Sequence, residues 1–432
     1  MITMMLRTTF AILIMCSSMP GYAQQAVEIA AQAKQHERLK IKVVVLSKDD
    51  TLDQLLAIFK KSLEFTGQFA LELQHAQQPL DAARLKQLWH EGYPFVVYLD
   101  YQDHALLVRL YETHTGTMVL GKMIQKQPAL RALAYRAADV IWPVLTGLPG
   151  FFSTKIAYSK QIQKDKFTLH QHICIADYDG SHEQVLVDSP TINVAPRWNR
   201  DPLCPLLFYA QSTNTNIRLM ATDMKKLHKI ASNFDGLNML PSFAADGKTL
   251  VYCASRGDGS TQLYFYTKGA FKKLTNNAGN NISPSVSDDG RWVYYCSDAG
   301  RKSPQILKME LATQAIEPVV TNGFCVCPTY HQPSNRLAYC RMVNGLNQLF
   351  VYDMHVNQHT QLTFDDTDKD ECHWSVCGSY VLFASQRANK SRIAMINTRT
   401  HKVNYLTDAI NNCSYPAWSG AYAVYPIVHE AT

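Results

Sequence analysis

The sequence lacks the segments that would place it in several large protein classes. Beyond its first residues, no stretch approaches the roughly 20 consecutive apolar residues that a membrane helix needs. The net charge is only +6 over 432 residues, and no dense lysine or arginine run occurs. We therefore expect neither an integral membrane protein nor a nucleic-acid-binding protein. The 47% hydrophobic content predicts a globular chain instead of a disordered one.

Motifs for catalysis and for metal or cofactor binding are also missing. The chain has no Gly-x-Ser-x-Gly elbow, phosphate loop, dinucleotide fingerprint or His-Glu-x-x-His segment. Paired Cys-x2-Cys segments, which would suggest zinc, are absent too. His170 and His172 lie two residues apart in a predicted strand, hence on one face, but no third ligand accompanies them in the sequence. The sequence thus predicts no catalytic residues, no cofactor and no metal site.

The first residues have the pattern of an export signal. Arg7 precedes the apolar run 10–16, and small residues follow up to Ala23. We predict a signal peptide over residues 1–23 and an exported mature chain. Residues 24–40 are rich in alanine, glutamine and lysine, and both a helix and a mobile arm remain open for them.

An α/β domain is predicted for residues 24–150. Strand 41–46 is followed by a helix whose apolar residues recur at intervals of three and four. A second strand and helix, three further strands and a long helix from Pro128 to about Leu145 complete the pattern. Alternating strands and helices followed by a hairpin are typical of α/β architecture. The segment 147–150, Gly-Leu-Pro-Gly, marks the end of this domain.

The second part of the chain repeats one sequence motif, here called the blade motif. The segment 241–255 contains a short strand, an Asp-Gly turn and a second strand that ends in aromatic-Cys-small, and the segment 284–297 repeats it. Weaker copies begin elsewhere, so that the first residues of the copies, the anchors, fall at 196, 241, 284, 328, 372 and 416. A strand-based repeat of about 44 residues is typical of a β-propeller with one four-stranded blade per repeat.

The number of blades follows from the two ends of this region. Residues 152–188 supply three strands but lack the one that opens every later repeat, and residues 415–418 supply that strand. We predict a six-bladed propeller over residues 151–432 whose last blade is closed by the C-terminal strand, because closure removes two exposed sheet edges. Residues 422–426 are left over and are predicted to add a strand to that blade or to pack across it.

Ten cysteines follow the predicted signal. Cys253, Cys296 and Cys340 occupy the same place in three successive repeats, too far apart for a disulfide, and are predicted to be small buried side chains. Pairing remains open for the cysteines nearer the loops, which are Cys325, Cys327, Cys372 and Cys377.

The segment between the two predicted domains resembles one protein family. Residues 135–147, Tyr-Arg-Ala-Ala-Asp-Val-Ile-Trp-Pro-Val-Leu-Thr-Gly, lead into the segment 150–158, and together they resemble the domain junction of the TolB family of the Tol–Pal system. Residues 415–419 are similar to the family's closing strand. The resemblance implies a periplasmic, non-catalytic adaptor that binds a Pal-type peptidoglycan-associated lipoprotein and supports outer-membrane integrity and cell division. It also implies that the N-terminal domain contacts a TolA-like inner-membrane protein, although the arm 24–40 departs from the family's short strand-like segment.

The residues just before each anchor, here called the leading loops, are predicted to lie at a mouth of the propeller channel, because the innermost strand of each blade lines that channel. The resemblance implies that Pal binds at this mouth. The leading loops mix asparagine with apolar side chains, which suits a protein partner. We predict partner contacts for Asn193, Val194, Leu237, Asn238, Met239, Asn280, Asn281, Ile282, Ser283, Val326, Asp370, Glu371 and Asn412.

Two other function classes remain alternatives. One is a secreted propeller enzyme whose histidines or carboxylates come together from separate blades, and the other is a propeller that binds a small ligand or an ion in its channel. The acidic segment 365–371 could hold Ca²⁺, but we favour a solvated loop between blades. The tripeptide 256–258, Arg-Gly-Asp, is interpreted as a hairpin turn and not as an adhesion motif.

Overall fold

The computed structural model describes residues 38–46, 50–102, 105–125, 127, 129–163, 169–201, 203–223, 228–232, 234–255, 259–267 and 270–420. The predicted signal peptide, most of the arm 24–40, the tripeptide 256–258 and the segment 422–426 lie outside the described residues. The chain divides into two compact units, one that ends at Leu148 and one that begins at Pro149. Within the described residues, no helix is both long and apolar enough to cross a membrane.

The first unit contains one five-stranded sheet with the strand order β2-β1-β3-β4-β5. Strand β1 pairs in parallel with β2 and β3, whereas β3, β4 and β5 are antiparallel. Its elements are β1 (Leu39–Val45), α1 (Asp50–Phe65), β2 (Phe69–His75), α2 (Ala82–His90), β3 (Phe95–Gln102), β4 (Ala105–Glu112), β5 (Met118–Gln125) and α3 (Leu130–Thr146). The predicted α/β region is confirmed.

Apolar spacing explains these helices. The side chains that recur at intervals of three and four along α1 are almost wholly buried, and they form the face that the sequence predicts; they are Leu52, Leu55, Leu56, Phe59 and Leu63. Helix α2 begins where the Asp81 carboxylate accepts the Arg84 N–H at 2.8 Å. Helix α3 ends at Gly147, which adopts a left-handed conformation and donates its N–H to Pro143 O.

The second unit is a six-bladed propeller, as the sequence predicts. Each blade is a four-stranded antiparallel sheet, and the inner strands are β9, β13, β17, β21, β25 and β29. The strands are β6 (Lys155–Gln163), β7 (Leu169–Asp177), β8 (Gln184–Val187), β9 (Asn193–Trp198), β10 (Leu207–Ser212), β11 (Ile217–Thr222), β12 (His228–Ser232), β13 (Leu237–Phe243), β14 (Leu250–Ser255), β15 (Gln262–Thr267), β16 (Ala270–Lys273), β17 (Asn281–Val286), β18 (Trp292–Ser297), β19 (Gln305–Glu310), β20 (Ile316–Val320), β21 (Cys325–His331), β22 (Arg336–Val343), β23 (Leu346–Asp353), β24 (Gln358–Gln361), β25 (Asp368–Trp374), β26 (Tyr380–Arg387), β27 (Lys390–Asn397), β28 (Val403–Tyr405) and β29 (Asn412–Trp418).

The ring closes through the C-terminal strand. Strand β29 pairs with β6, so that the sixth blade has the order β29-β6-β7-β8. The Trp418 indole donates to Thr154 Oγ1 at 2.7 Å, and the Lys155 N–H donates to Ser419 Oγ at 2.9 Å. Both ends of the propeller sequence are therefore held in one sheet, in which β29 covers the edge of β6 that would otherwise be unpaired.

The ten cysteines of the described region are free thiols. Cys253, Cys296 and Cys340 are at most 2% exposed, so the prediction that they are small buried side chains is confirmed. Cys372 does not pair with another cysteine but donates its S–H to Cys327 O in the neighbouring blade.

Candidate functional site: the channel cavity

Each of the six inner strands contains a bulge at the same place. One non-glycine residue per strand adopts a left-handed conformation with φ between 52° and 54°; these residues are Ala195, Leu240, Ser283, Cys327, Glu371 and Tyr415. The pairing register shifts at each of them. Such a conformation costs about 1–2 kcal/mol per residue, so the surrounding packing must impose it.

The bulges explain the residue types that recur in the blade motif. At the bulge of β13, Leu240 and the anchor Pro241 together stand opposite the single residue Tyr252 of β14. Proline suits an anchor because it has no N–H to pair, and five of the six anchors are proline. The residue opposite each bulge is an aromatic side chain at most 1% exposed; these are Tyr158, Tyr209, Tyr252, Tyr295, Tyr339 and Phe383. The aromatic residue of the blade motif therefore packs opposite the bulge and supports it.

A cavity of 420 Å³ lies among the inner strands, from the bulges to the loops that follow these strands. Two serines in its wall join neighbouring blades: Ser242 Oγ accepts the Val286 N–H and Ser285 Oγ accepts the Tyr330 N–H, each at 2.9 Å. These hydroxyl groups hold the blades of β13, β17 and β21 together on one side of the cavity. We call this space the channel cavity.

A buried ion pair crosses the channel cavity. Arg197 of β9 donates to the Glu371 carboxylate of β25 at 2.9 Å, and their side chains are 16% and 14% exposed. Burial and the neighbouring Asp370 raise the pKa of Glu371 to about 7, although Arg197 acts in the opposite direction. The pair thus combines one permanent positive charge with a carboxyl group that titrates near neutral pH.

The histidines and thiols of the cavity are held uncharged. Burial, with Arg197 nearby, lowers the pKa of His373 to about 3, and its Nδ1 lies 3.1 Å from Trp374 O. Burial also lowers the pKa of His331 and raises the pKa of Cys327 well above its ordinary value. A protonated thiol is a weak nucleophile. These groups therefore suit a binding surface better than nucleophilic catalysis.

Three of the predicted contact residues form internal latches. Asn193, Asn238 and Asn281 are 0% exposed, each at the start of an inner strand. The Asn238 amide donates to Ile217 O at 2.9 Å and to Phe234 O at 2.6 Å, and thereby ties the loop before β13 to the start of β11. The Asn193 amide donates to Gln171 O of β7 and to Thr191 O in the preceding loop. The Asn281 amide donates to Asn277 Oδ1 and Gly279 O in the loop before β17. The donors of these three amides are thus already used inside the chain, and partner contact by them stays a prediction.

The structure distributes the other predicted contact residues over three environments. Ser283 and Glu371 line the channel cavity. Val194, Leu237, Met239 and Ile282 are half-buried and pack against the cluster that includes Ala195 and Leu240, and Val326 packs against another cluster. Asn280 and Asp370 are exposed, and Asn412 is half-buried with its amide on Gln161 Oε1. Partner contact by these residues stays a prediction.

Several cavity residues were missed because they follow the anchors instead of preceding them. They include Arg197, Arg200, Tyr330, His331, His373 and Trp374. An aromatic residue two places after five of the six anchors was visible in the sequence, and so was its strand. A signal could have been found there, since residues of an inner strand that alternate with its buried ones must face the channel.

The cluster of Cys327, Asp370 and Glu371 is one place where a cation could be sought. One ligand atom from each of the three lies within 4.8 Å of the others. However, Cys327 Sγ donates to Asp370 Oδ1 at 3.0 Å, and the Arg197 guanidinium occupies Glu371. A protonated thiol and a bound guanidinium fit an internal polar network better than a metal site. In the acidic segment 365–371, Asp365 and Asp366 likewise contact Lys369 and Arg387.

Comparisons with known proteins identify a related family. The family model for the TolB beta propeller domain, PD40, matches residues 142–422. The Tol-Pal system protein TolB of Francisella tularensis subsp. mediasiatica is 29% identical over 153 residues, 34% of this chain and 35% of that protein. The protein of the same name from Rickettsia canadensis is 28% identical over 157 residues, 35% of this chain and 34% of that protein. The matched segments therefore span about a third of the length of these curated relatives.

A solved structure extends the similarity in fold. The crystal structure of TolB from Acinetobacter baumannii superposes with a TM-score of 0.76 at 22% identity, and covers 89% of this chain and 97% of that one. At this identity the likeness concerns the fold, which combines an α/β region with a six-bladed propeller. The arrangement of side chains in the channel cavity is that of this chain and is not inferred from the relative.

Proposed function

Since the chain belongs to the TolB beta propeller family, we propose that it is a periplasmic, non-catalytic adaptor of a Tol–Pal system. It binds a Pal-type lipoprotein at the mouth of the channel cavity, and through that contact it supports outer-membrane integrity and cell division. The predicted export signal over residues 1–23 supports the periplasmic location.

The observation that best supports a protein partner is the composition of the cavity. Its lining includes three tryptophans, a tyrosine and two arginines, which are the residue types that contribute most to protein interfaces; they are Trp198, Trp374, Trp418, Tyr330, Arg197 and Arg200. The Arg200 side chain is 38% exposed, so that part of its guanidinium is accessible at the rim beside its ion pair with Asp288. An anionic or polar segment of the lipoprotein would meet this charge.

Titration calorimetry of the chain from Gln24 with the soluble domain of the Pal-type lipoprotein of the same organism tests the proposal. We expect saturable binding that weakens about tenfold in Arg200→Glu, a loss typical of an interface charge. Arg387→Glu is the matched control, because Arg387 also forms an exposed ion pair, with Asp366, but does not line the cavity.

Two results would count against this proposal. If circular dichroism shows a folded propeller but calorimetry detects no saturable binding, a Pal-type lipoprotein is not the partner. Weaker binding in an Asn280→Ala/Ile282→Ala double variant, with Arg200→Glu unchanged, would instead place the contact at the leading loops.

We further propose that the first unit contacts a TolA-like inner-membrane protein. The support is the family membership, and the arm 24–40 is the segment to test. Deletion of residues 24–37 should abolish binding of a soluble TolA-like domain in the same calorimetric assay while binding of the Pal-type domain persists. Unchanged binding of the TolA-like domain would exclude the arm as the contact.

A further inference from the structure

A second group of candidate ligands lies on the blade that the C-terminal strand closes. His170 and His172 belong to strand β7, and Asp188 is the first residue after strand β8. The two imidazoles are 8% and 4% exposed, whereas the Asp188 side chain is 62% exposed. None of these residues lines the channel cavity.

Strand pairing brings the three side chains together. His170 and His172 are two residues apart in β7 and therefore point to the same face of the sheet. Ile173 pairs with Val187, so the next residue of the outer strand, Asp188, comes beside His172. His172 Nε2 lies 3.4 Å from Asp188 Oδ1, and one ligand atom from each residue lies within 4.8 Å of the other two.

One buried nitrogen of this cluster points to a ligand. The Nδ1 of His170 has no hydrogen-bond partner among the described residues, although that residue is more than nine-tenths buried. A buried polar atom without a partner is costly, and an imidazole nitrogen is a common metal ligand. Burial of two imidazoles next to an exposed carboxylate gives a site that is anchored inside the blade and open to solvent on one side.

We propose that His170, His172 and Asp188 bind a transition-metal dication of the zinc type. With metal–ligand bonds of about 2.0–2.1 Å, ligands at tetrahedral angles are about 3.3 Å apart, close to the His172–Asp188 separation. Two imidazoles favour zinc and its neighbours over Ca²⁺ and Mg²⁺, which prefer oxygen ligands. Three protein ligands leave the fourth position for water or for a donor from a partner.

The surrounding charges are compatible with a cation. Lys160 stands opposite His172 in the neighbouring strand, but its ammonium group contacts the Glu183 carboxylate at 2.5 Å, which offsets its charge. The bound metal would fasten the end of β8 to β7, and the same segment continues to the Asn193 latch, whose amide donates to Gln171 O. We therefore expect metal binding to stabilise the closing blade.

Metal binding is measured on the full mature chain without a histidine tag, first treated with a chelator and then dialysed. We expect one Zn²⁺ per chain by calorimetry, a higher thermal midpoint with Zn²⁺ than without it, and the intense visible absorption of four-coordinate Co²⁺ when cobalt replaces zinc. Absence of saturable Zn²⁺ binding would overturn the inference.

Two ligand variants and two controls locate the site. Asp188→Asn and His170→Asn should each weaken Zn²⁺ binding by at least about tenfold and remove the Co²⁺ absorption. Asp188 is largely exposed, so its variant should keep the fold. His75→Asn, in the His75–Asp53 pair of the first unit, and Glu371→Gln, in the cavity cluster, should bind as the wild type does. Wild-type affinity in both ligand variants, or loss of binding in Glu371→Gln, would assign the metal elsewhere.

Discussion

The first three inner strands and the last three carry different side chains at one equivalent position. Two residues before each left-handed residue, strands β9, β13 and β17 have the asparagines Asn193, Asn238 and Asn281, whereas β21, β25 and β29 have Cys325, Lys369 and Cys413. All six side chains are at most 1% exposed. The backbone geometry is therefore repeated around the ring, while the type of side chain buried at this position is not.

The difference extends to the channel cavity. The left-handed residues of the first three strands are Ala195, Leu240 and Ser283, none of which ionises, whereas those of the last three, Cys327, Glu371 and Tyr415, all carry ionisable groups. One half of the ring holds its loops with neutral amides, and the other half places ionisable groups inside. This teaches that the bulge fixes where a side chain lies and leaves its chemistry open to variation.

The largest expected effect is loss of a neutral latch. In Asn238→Ala, the carbonyl groups of Ile217 and Phe234 lose their donor inside the protein, and the Ser232 hydroxyl loses one of its two acceptors. Unsatisfied buried groups of this kind cost about 1–3 kcal/mol each before the loop relaxes, so we expect the free energy of unfolding to fall by about 3 kcal/mol. Urea unfolding followed by fluorescence measures the change.

Asn280→Ala is the matched control for that variant. Asn280 is exposed, and its amide donates to Asp298 Oδ2 at 3.2 Å, so the expected loss is below about 1 kcal/mol. Equal losses in the two variants would mean that burial of the asparagine does not matter and that the latch is misidentified.

These two asparagines also show how much the sequence could predict. The period of about 44 residues places every inner strand, because each repeat is one blade and its anchor, a proline in five of the six, marks the bulge. The sequence does not tell which leading-loop side chains turn inward, because a bulge shifts the alternation of faces by one residue. For this reason Asn238 was predicted as a partner contact but lies in the interior.

Contacts between residues of distant strands could likewise not be predicted from the sequence. Arg197 and Glu371 are 174 positions apart and meet only because β9 and β25 face one channel. Asp188 joins His170 and His172 through the pairing of β8 with β7, which no local spacing reveals. Local patterns predict the elements, whereas contacts between distant elements depend on the register and on closure of the ring.

The next largest effect concerns the charged latch of β25. The Lys369 ammonium is 1% exposed and contacts Asp365 at 2.5 Å and Thr367 O at 2.7 Å, while Asp365 is 46% exposed. Removal of the partner leaves a buried cation uncompensated, but removal of the lysine leaves a carboxylate that water can solvate. We expect Asp365→Asn to cost about 2 kcal/mol and Lys369→Met less than about 1 kcal/mol.

Urea unfolding at neutral pH and moderate salt gives both values for these two variants. The asymmetry between them is the informative result, because a solvated surface pair would give two small and similar losses. A larger loss in Lys369→Met than in Asp365→Asn would show that the lysine stem, and not its charge, stabilises this latch.

The smallest expected effect is a change in how stability depends on pH. Burial raises the pKa of Glu371 from its ordinary 4.5 to about 7, so between these values the folded chain binds more protons than the unfolded chain, and this group makes stability fall as pH rises. His373 acts in the opposite sense: its pKa is lowered from 6.5 to about 3, and its contribution is lost as pH falls below 6.5. The two effects oppose each other where they overlap, and the wild-type profile should be shallow there.

Glu371→Gln removes one of these opposing contributions and keeps a hydrogen-bond acceptor for Arg197. We expect its urea midpoint to rise more steeply than that of the wild type between pH 4.5 and 6.5, the ordinary pKa values of the two groups. Glu310→Gln is the control, because Thr313 and Arg291 lower the pKa of that carboxyl, which lies outside the cavity, and its contribution is lost only below 4.5. Superimposed profiles for Glu371→Gln and the wild type would show that Glu371 is already ionised throughout this range, and that Arg197 outweighs burial in the cavity.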